Sequence, residues 1–290
     1  MIRLGSMILL AGLAISCRQQ DNSAPESKPS HFFSSSKRRD AGSAERQMVA
    51  KVGGCAAFFL ESSSKGIYMA SARHCFKKSI TTWCNGGGAI VGNNGEAGRC
   101  KRIIAADYGH DIAVFEADFG SVRPAMTALK LSTGAPAAGT PLKMIGYPGD
   151  PWRKGALTVT ESCTAEGRVY RSPHRDLLDL SMRHNCSTYG GNSGGPMLRA
   201  GTNEVIGLPF TYRKLGSATG YDVKHPYAFE GSLAYLALMS DFVGKNAAAL
   251  AAAGISMTAT PYQEVSALDA APEDDEQSFL GDTMEANAGE

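Results

Sequence analysis

The chain has 290 residues, with 29 Lys and Arg against 28 Asp and Glu, for a net charge of +1 at pH 7. A balance this close to zero gives no argument for a nucleic-acid partner. A hydrophobic content of 43% with 33 glycines and 13 prolines fits a turn-rich globular protein, long enough for one large or two small domains with a real core.

In chain order, the first segment is an export signal. Arg3 precedes the apolar run Met7–Ile15, which is too short to span a bilayer comfortably. Two cleavage readings share one bond. Ala14-Ile15-Ser16 suits an ordinary signal peptidase. Leu13-Ala14-Ile15-Ser16-Cys17 is similar to the lipobox of bacterial lipoproteins, with Ala14 where a leucine is usual, and there Cys17 becomes the lipidated first residue. Seven cysteines are an odd set for an exported protein, and lipidating Cys17 leaves six. The lipoprotein reading is therefore preferred to plain secretion. It makes residues 1–17 a signal and gives a cell-envelope protein with a lipid anchor.

Residues 18–47 carry seven serines and no apolar periodicity, so they are expected to be a disordered tether. Lys37-Arg38-Arg39 within it is either a processing site or, more ordinarily, a solvated basic run. From Met48 onward the signals are strands. Cys55–Leu60 and Gly66–Ala70 flank Ser62-Ser63-Ser64 as a hairpin would. Ile103-Ile104, Ile112–Phe115, Leu142–Ile145, Leu157–Val159, Leu177–Leu180 and Val205–Leu208 follow, punctuated by Gly, Pro, Asn or Asp. Short strands at this spacing point to barrels or a sandwich, and no long amphipathic helices alternate with them as a parallel α/β sheet requires. Gly231–Gly254 has helix composition, with Gly254 as its stop. Residues 255–290 read as an acidic disordered tail, with nine acids from Glu264 to Glu290 and no Lys or Arg after Lys245.

The chemistry centres on Gly191-Asn192-Ser193-Gly194-Gly195. The pattern Gly-x-Ser-x-Gly serves two unrelated hydrolase designs. In the α/β-hydrolase elbow, acid and histidine follow the serine. Here the only later histidine is His225, with Asp222 three residues ahead of it, and Gly194-Gly195-Pro196 is a poor start for the helix an elbow needs. Before Ser193 lie Ala72-Arg73-His74-Cys75 and then His110-Asp111-Ile112-Ala113. The order His74, Asp111, Ser193 and the three local frames resemble the chymotrypsin-like (trypsin-like) serine peptidase family over roughly residues 48–245. Ile145-Gly146-Tyr147-Pro148-Gly149-Asp150 resembles the bacterial branch that includes glutamyl endopeptidases.

The resemblance implies an all-β fold of two six-stranded Greek-key β-barrels with a C-terminal helix, over residues 48–254. It implies a serine endopeptidase acting as a monomer on protein or peptide substrates, with no cofactor. In that reading Ser193 is the nucleophile, His74 its base, and Asp111 orients the imidazole. The backbone N–H groups of Gly191 and Ser193 form the oxyanion hole. His110, beside Asp111, is expected to point the other way, as strand neighbours do. A catalytically silent binding module and an esterase on the same scaffold are the alternatives. A metal site is discounted, because there is no Cys-x-x-Cys and His74-Cys75 are adjacent rather than ligand-spaced.

The resemblance also implies a Cys55–Cys75 bridge. The resemblance and locality together then favour Cys84–Cys100 and Cys163–Cys186, one choice among fifteen, the alternative for Cys84 and Cys100 being two free buried thiols. The family's pancreatic branch has an aspartate before the serine that binds a freed N-terminal amine. Asn192 stands there, so that switch should be absent. The pocket floor falls on Ser187, which offers no charge for Lys or Arg. Thr188, Tyr189, Phe210 and Tyr212 are candidate pocket residues, and a neutral or apolar substrate side chain is favoured.

Overall fold

The computed structural model describes residues 37–76, 79–148, 155–170, 180–186, 188, 191–214 and 232–259. The signal with Cys17, the pocket positions Ser187 and Tyr189, most of the strand expected at 177–180, and the tail from residue 260 lie outside them.

Strand β1 (Lys37–Asp40) and a short helix α1 (Ser43–Arg46) lead into the first barrel. Its strands are β2 (Val49–Val52), β3 (Cys55–Leu60), β4 (Ile67–Ala72), β5 (Ala89–Val91), β6 (Ala97–Asp107) and β7 (Ile112–Asp118). They close antiparallel in the order β2-β3-β4-β7-β6-β5. Helix α2 (Ile80–Asn85), which the sequence reading did not include, is capped where the Ser79 hydroxyl accepts the Thr82 N–H.

After β8 (Lys130–Leu131) the second barrel is built from β9 (Pro141–Gly146), β10 (Thr158–Tyr170), β11 (Ser181–His184), β12 (Met197–Arg199), β13 (Glu204–Lys214) and β14 (Ser232–Leu238). Their order is β10-β11-β14-β13-β12-β9, and pairing of β9 with β10 closes the ring. Helix α3 (Met239–Ala252) follows, ending before Gly254 at φ +68°. The architecture is thus two closed six-stranded antiparallel barrels with a C-terminal helix.

The near-continuous apolar strands have a physical reason. Successive side chains on a strand point to opposite faces, and here both faces are buried. Phe59, Met69 and Phe115 fill the first barrel. Their neighbours Phe58, Ala70 and Val114 join a second layer, with Ile145, Leu198 and Val205 of the other barrel. Met197 and Ile206 turn the other way, into the second barrel's own core with Leu142, Met182 and Leu236. One cluster therefore cements the two barrels, and the catalytic candidates hang from strands that contribute to it.

Three expectations need correction. Ser232–Leu238, expected within the helix, is strand β14, inserted between β11 and β13. Two neighbouring strand edges offer its backbone a full ladder, and that outweighs helix propensity. The last residues of the expected tether are also part of the fold. β1 pairs with β10, and Arg39 binds Glu45 at 2.7 Å and Glu161 at 2.8 Å. Hydrogen bonding from Arg39 holds the Glu45 carboxyl down to about 2 despite partial burial. Finally, Ile255 and Met257 are not tail: they bridge to Ser62 and Leu131.

Candidate active site

Disulfides join Cys55 to Cys75, Cys84 to Cys100 and Cys163 to Cys186, the same three pairs that resemblance and locality favoured. The first ties the start of β3 to the short 3-10 turn Arg73–Cys75 that ends β4. His74 sits in that turn with its side chain 35% exposed.

Asp111 lies opposite, just before β7, with its side chain only 2% exposed. Its carboxylate takes two hydrogen bonds from His74: Oδ1 accepts the backbone N–H at 2.8 Å, and Oδ2 meets ring Nδ1 at 2.5 Å. Its backbone carbonyl accepts the Arg73 N–H at 2.8 Å. The β4–β7 pairing Ala72↔Ile112 sets this register, since it places the residues after Ala72 beside the residue before Ile112.

Ser193 is held by its backbone against the start of β3. Its carbonyl accepts the Ala56 N–H at 3.0 Å, one residue from the Cys55–Cys75 bridge. Gly194, at φ +74°, packs so closely that a Cβ there would overlap Ala56 O and Ser71 Oγ. Ser71, buried on β4, donates to that same Ala56 carbonyl at 2.7 Å. A Cβ on Gly195 would overlap the Ile145 carbonyl of β9. The two glycines thus wedge the Ser193 turn between the barrels, which explains the Ser-Gly-Gly spelling. Gly191 adopts φ +90°, open only to glycine without strain. Asn192 is buried, and its Oδ1 would lie 2.9 Å from a Cβ on Gly146.

Of the pocket candidates, Thr188 donates to the Cys186 carbonyl at 3.2 Å and touches Met144 Sδ at 3.8 Å. Phe210 and Tyr212 lie on β13, where its register with β14 shifts between Pro209 and Tyr212. Proline donates no ladder hydrogen bond, so such an irregularity is expected there.

Cys55, His74 and Cys75 bring ligand atoms within 4.8 Å of one another. The two sulfurs are bonded to each other, so the donor set does not fit a metal ion.

Two further histidines are buried among the described residues. His110, expected to be a strand neighbour of Asp111 pointing away from it, is not on a strand. It sits in the turn 108–111, fully buried, against Asp107 and against Asp241 of α3. His184, on β11, is held neutral. Its Nδ1 accepts the Cys186 N–H at 3.2 Å, Nε2 faces the Tyr235 carbonyl, and burial pushes its pKa down to about 4. The sequence held no signal for the Asp241 contact, which spans 131 residues.

A family model described as a trypsin-like peptidase domain matches residues 55–208, more than half of the chain. By sequence, no curated protein matches. Similar solved structures include the HtrA-type protease AlgW with a decapeptide, at 14% identity and a TM-score of 0.46, covering 68% of this chain and 51% of that one. The chain thus spans about half the length of that protease. Another is the Rv3671c protease of M. tuberculosis in an inactive form, at 16% identity and a TM-score of 0.46, covering 73% of this chain and 91% of that one. The chain belongs to the trypsin-like peptidase domain family.

Proposed function

We propose that the protein is an exported serine endopeptidase that cleaves peptide bonds through Ser193, His74 and Asp111. The observation that carries this reading is the His74–Asp111 pair, joined at ring and backbone, beside a Ser193 turn docked on Ala56. A serine hydroxyl is a weak nucleophile near neutrality and needs a base as it attacks. His74 Nε2 takes the hydroxyl proton while Oγ bonds to the scissile carbonyl carbon. Asp111, accepting from Nδ1–H, fixes the tautomer that carries its lone pair on Nε2 and stabilises the imidazolium. Negative charge builds on the carbonyl oxygen, where the Gly191 and Ser193 N–H groups receive it. One such donor contributes about 2.7–4 kcal/mol in the transition state. The imidazolium then protonates the leaving amine, and water attacks the acyl-enzyme by the same path.

Three disulfides support export, because such bonds persist in oxidising compartments. They use six of the seven cysteines and leave Cys17, at the lipobox-like site, for a lipid anchor. Residues 18–36 are then the tether between membrane and barrels.

The test is covalent labelling with a fluorophosphonate. Wild type should be labelled and Ser193→Ala should not. A folded wild type that resists the reagent and cleaves no peptide returns the protein to the binding-module reading.

A further inference from the structure

Asp111 has a φ of +53°, in the left-handed region that strains a residue with a side chain. Such a conformation persists only when its surroundings impose it. Its neighbour His110 supplies that constraint. The imidazole is 0% exposed and lies between two carboxylates. Nδ1 lies 3.1 Å from Asp107 Oδ1 at the end of β6, an ion-pair contact without hydrogen-bond alignment, and Nε2 hydrogen-bonds to Asp241 in the first turn of α3. Asp107 Oδ1 also accepts the Gly109 N–H at 2.8 Å, so the same carboxylate shapes the turn. Lys245, one turn along α3, lies 3.6 Å from Asp241. Phe242 packs edge-on against the ring, its centroid 6.3 Å away. The peptidase chemistry above uses none of these side chains.

Their geometry fixes a charge state. A neutral imidazole has one donor nitrogen and one acceptor. With carboxylate oxygens at both nitrogens, the acceptor nitrogen would face an acceptor. The imidazolium avoids that clash: it donates from Nε2 to Asp241 and is attracted at Nδ1 by the Asp107 carboxylate. Burial by itself disfavours the charged ring, but the pull of Asp241 and Asp107 outweighs it, and the His110 pKa is raised.

We propose that Asp241, acting through the imidazolium of His110, is a positioning residue for Asp111, so that helix α3 clamps the turn carrying the acid and activity requires His110 to be protonated. This rests on the assignment of Asp111 to the catalytic triad. General-base catalysis needs an unprotonated base, which gives an acid limb. His110 must be charged, which sets the alkaline limb. The charged groups facing His110 are Asp107 from β6, and Asp241 with Lys245 from α3. Lys245 opposes the imidazolium while the carboxylates favour it.

The experiment is the rate of fluorophosphonate labelling of the full chain against pH. Wild type should give a bell. Asp241→Asn keeps the side-chain size and removes the charge. It should lower the labelling rate about 10- to 100-fold near pH 8, since small displacements of catalytic groups have large effects. The alkaline limb should move toward acid by about one unit or more, because an opposite charge at contact shifts a pKa by about 1–3 units. The acid limb should stay in place. A rate lowered equally at every pH means that Asp241 only supports the fold, and overturns the proposal. So does an unchanged profile. Where Asp241→Asn does not fold, nitrogen NMR of the wild-type histidine rings decides. One imidazolium should persist above the ordinary histidine range and lose its proton in step with the labelling rate; its absence overturns the clamp. A wild type that is labelled at no pH refutes the peptidase reading, an outcome distinct from a labelled wild type whose limb does not move in Asp241→Asn.

Discussion

Asp111 binds His74 twice, once at the backbone N–H and once at ring Nδ1. A single carboxylate therefore fixes both the position of the residue and the direction of its imidazole. A contact to the ring alone would leave the turn Arg73–Cys75 free to shift. The Arg73 N–H bond to the Asp111 carbonyl closes a third link across the same gap.

This coupling predicts different failures for the two histidines. His74→Ala should abolish peptide cleavage and labelling while the protein still melts cooperatively, because the ring is partly exposed and carries little of the core. His110→Ala should lower the melting temperature, because it removes the ring that pairs with two partly buried carboxylates and leaves a cavity. Activity surviving in His74→Ala would remove it from the mechanism.

Gly194→Ala should cost several kcal/mol of stability or prevent folding. The new methyl overlaps Ala56 O and Ser71 Oγ, backbone φ is +74°, and neither β3 nor β4 can yield without breaking the Ser71 hydrogen bond. Gly201→Ala is the control. It too has positive φ, +78°, but open space around it, so only the smaller backbone cost applies. Equal denaturation midpoints for the two variants would show that packing around the serine turn is not tight.

Buried His184 should make the fold acid-sensitive. Its pKa is pushed from 6.5 to about 4 by burial, while an unfolded chain takes up the proton normally. Above about pH 6.5 both states are neutral and there is no contribution. Between 6.5 and 4 only the unfolded state binds the proton, so stability falls as pH falls, by on the order of 3 kcal/mol in all. Urea melts at pH 7, 5.5 and 4 should show a shallower decline for His184→Asn than for wild type. Parallel slopes would assign the acid sensitivity elsewhere.

Activity should not require a freed N-terminal amine. Asn192 holds the buried place before Ser193, and an amide cannot form an ion pair with an amine. A chain beginning just before Lys37, with its amine acetylated, should cleave peptides at the wild-type rate. Removal of residues 37–39 should instead lower the melting temperature, by taking β1 from β10 and Arg39 from Glu45 and Glu161. Loss of activity on acetylation alone would contradict this.

Cys17→Ser should move the protein from the membrane fraction to the soluble exported fraction with catalysis unchanged. Each buried methylene of a lipid chain contributes about 0.8 kcal/mol, so a triacylated cysteine should not release measurably. Mass spectrometry of the mature N-terminus gives the answer directly, and an unmodified Cys17 means plain secretion.

The sequence by itself showed the strand runs and the candidate residues, and the family resemblance narrowed a barrel or a sandwich to two barrels. Runs such as Cys55–Leu60 and Ile112–Phe115 are apolar at every position because both strand faces are buried, and chain order alone separated the two Gly-x-Ser-x-Gly designs. Ser-Gly-Gly was legible because close backbone approach leaves no room for a Cβ. What only the tertiary structure decided depends on partners remote in sequence. Ser232–Leu238 reads as helix until β11 and β13 offer it two edges. Lys37–Asp40 reads as linker until β10 supplies a ladder and Glu161 a counter-charge. His110 reads as a strand residue beside the acid until folding brings Asp241 against its ring. Local propensity and periodicity are properties of a window, whereas a strand edge or a counter-ion delivered from far along the chain has no local trace.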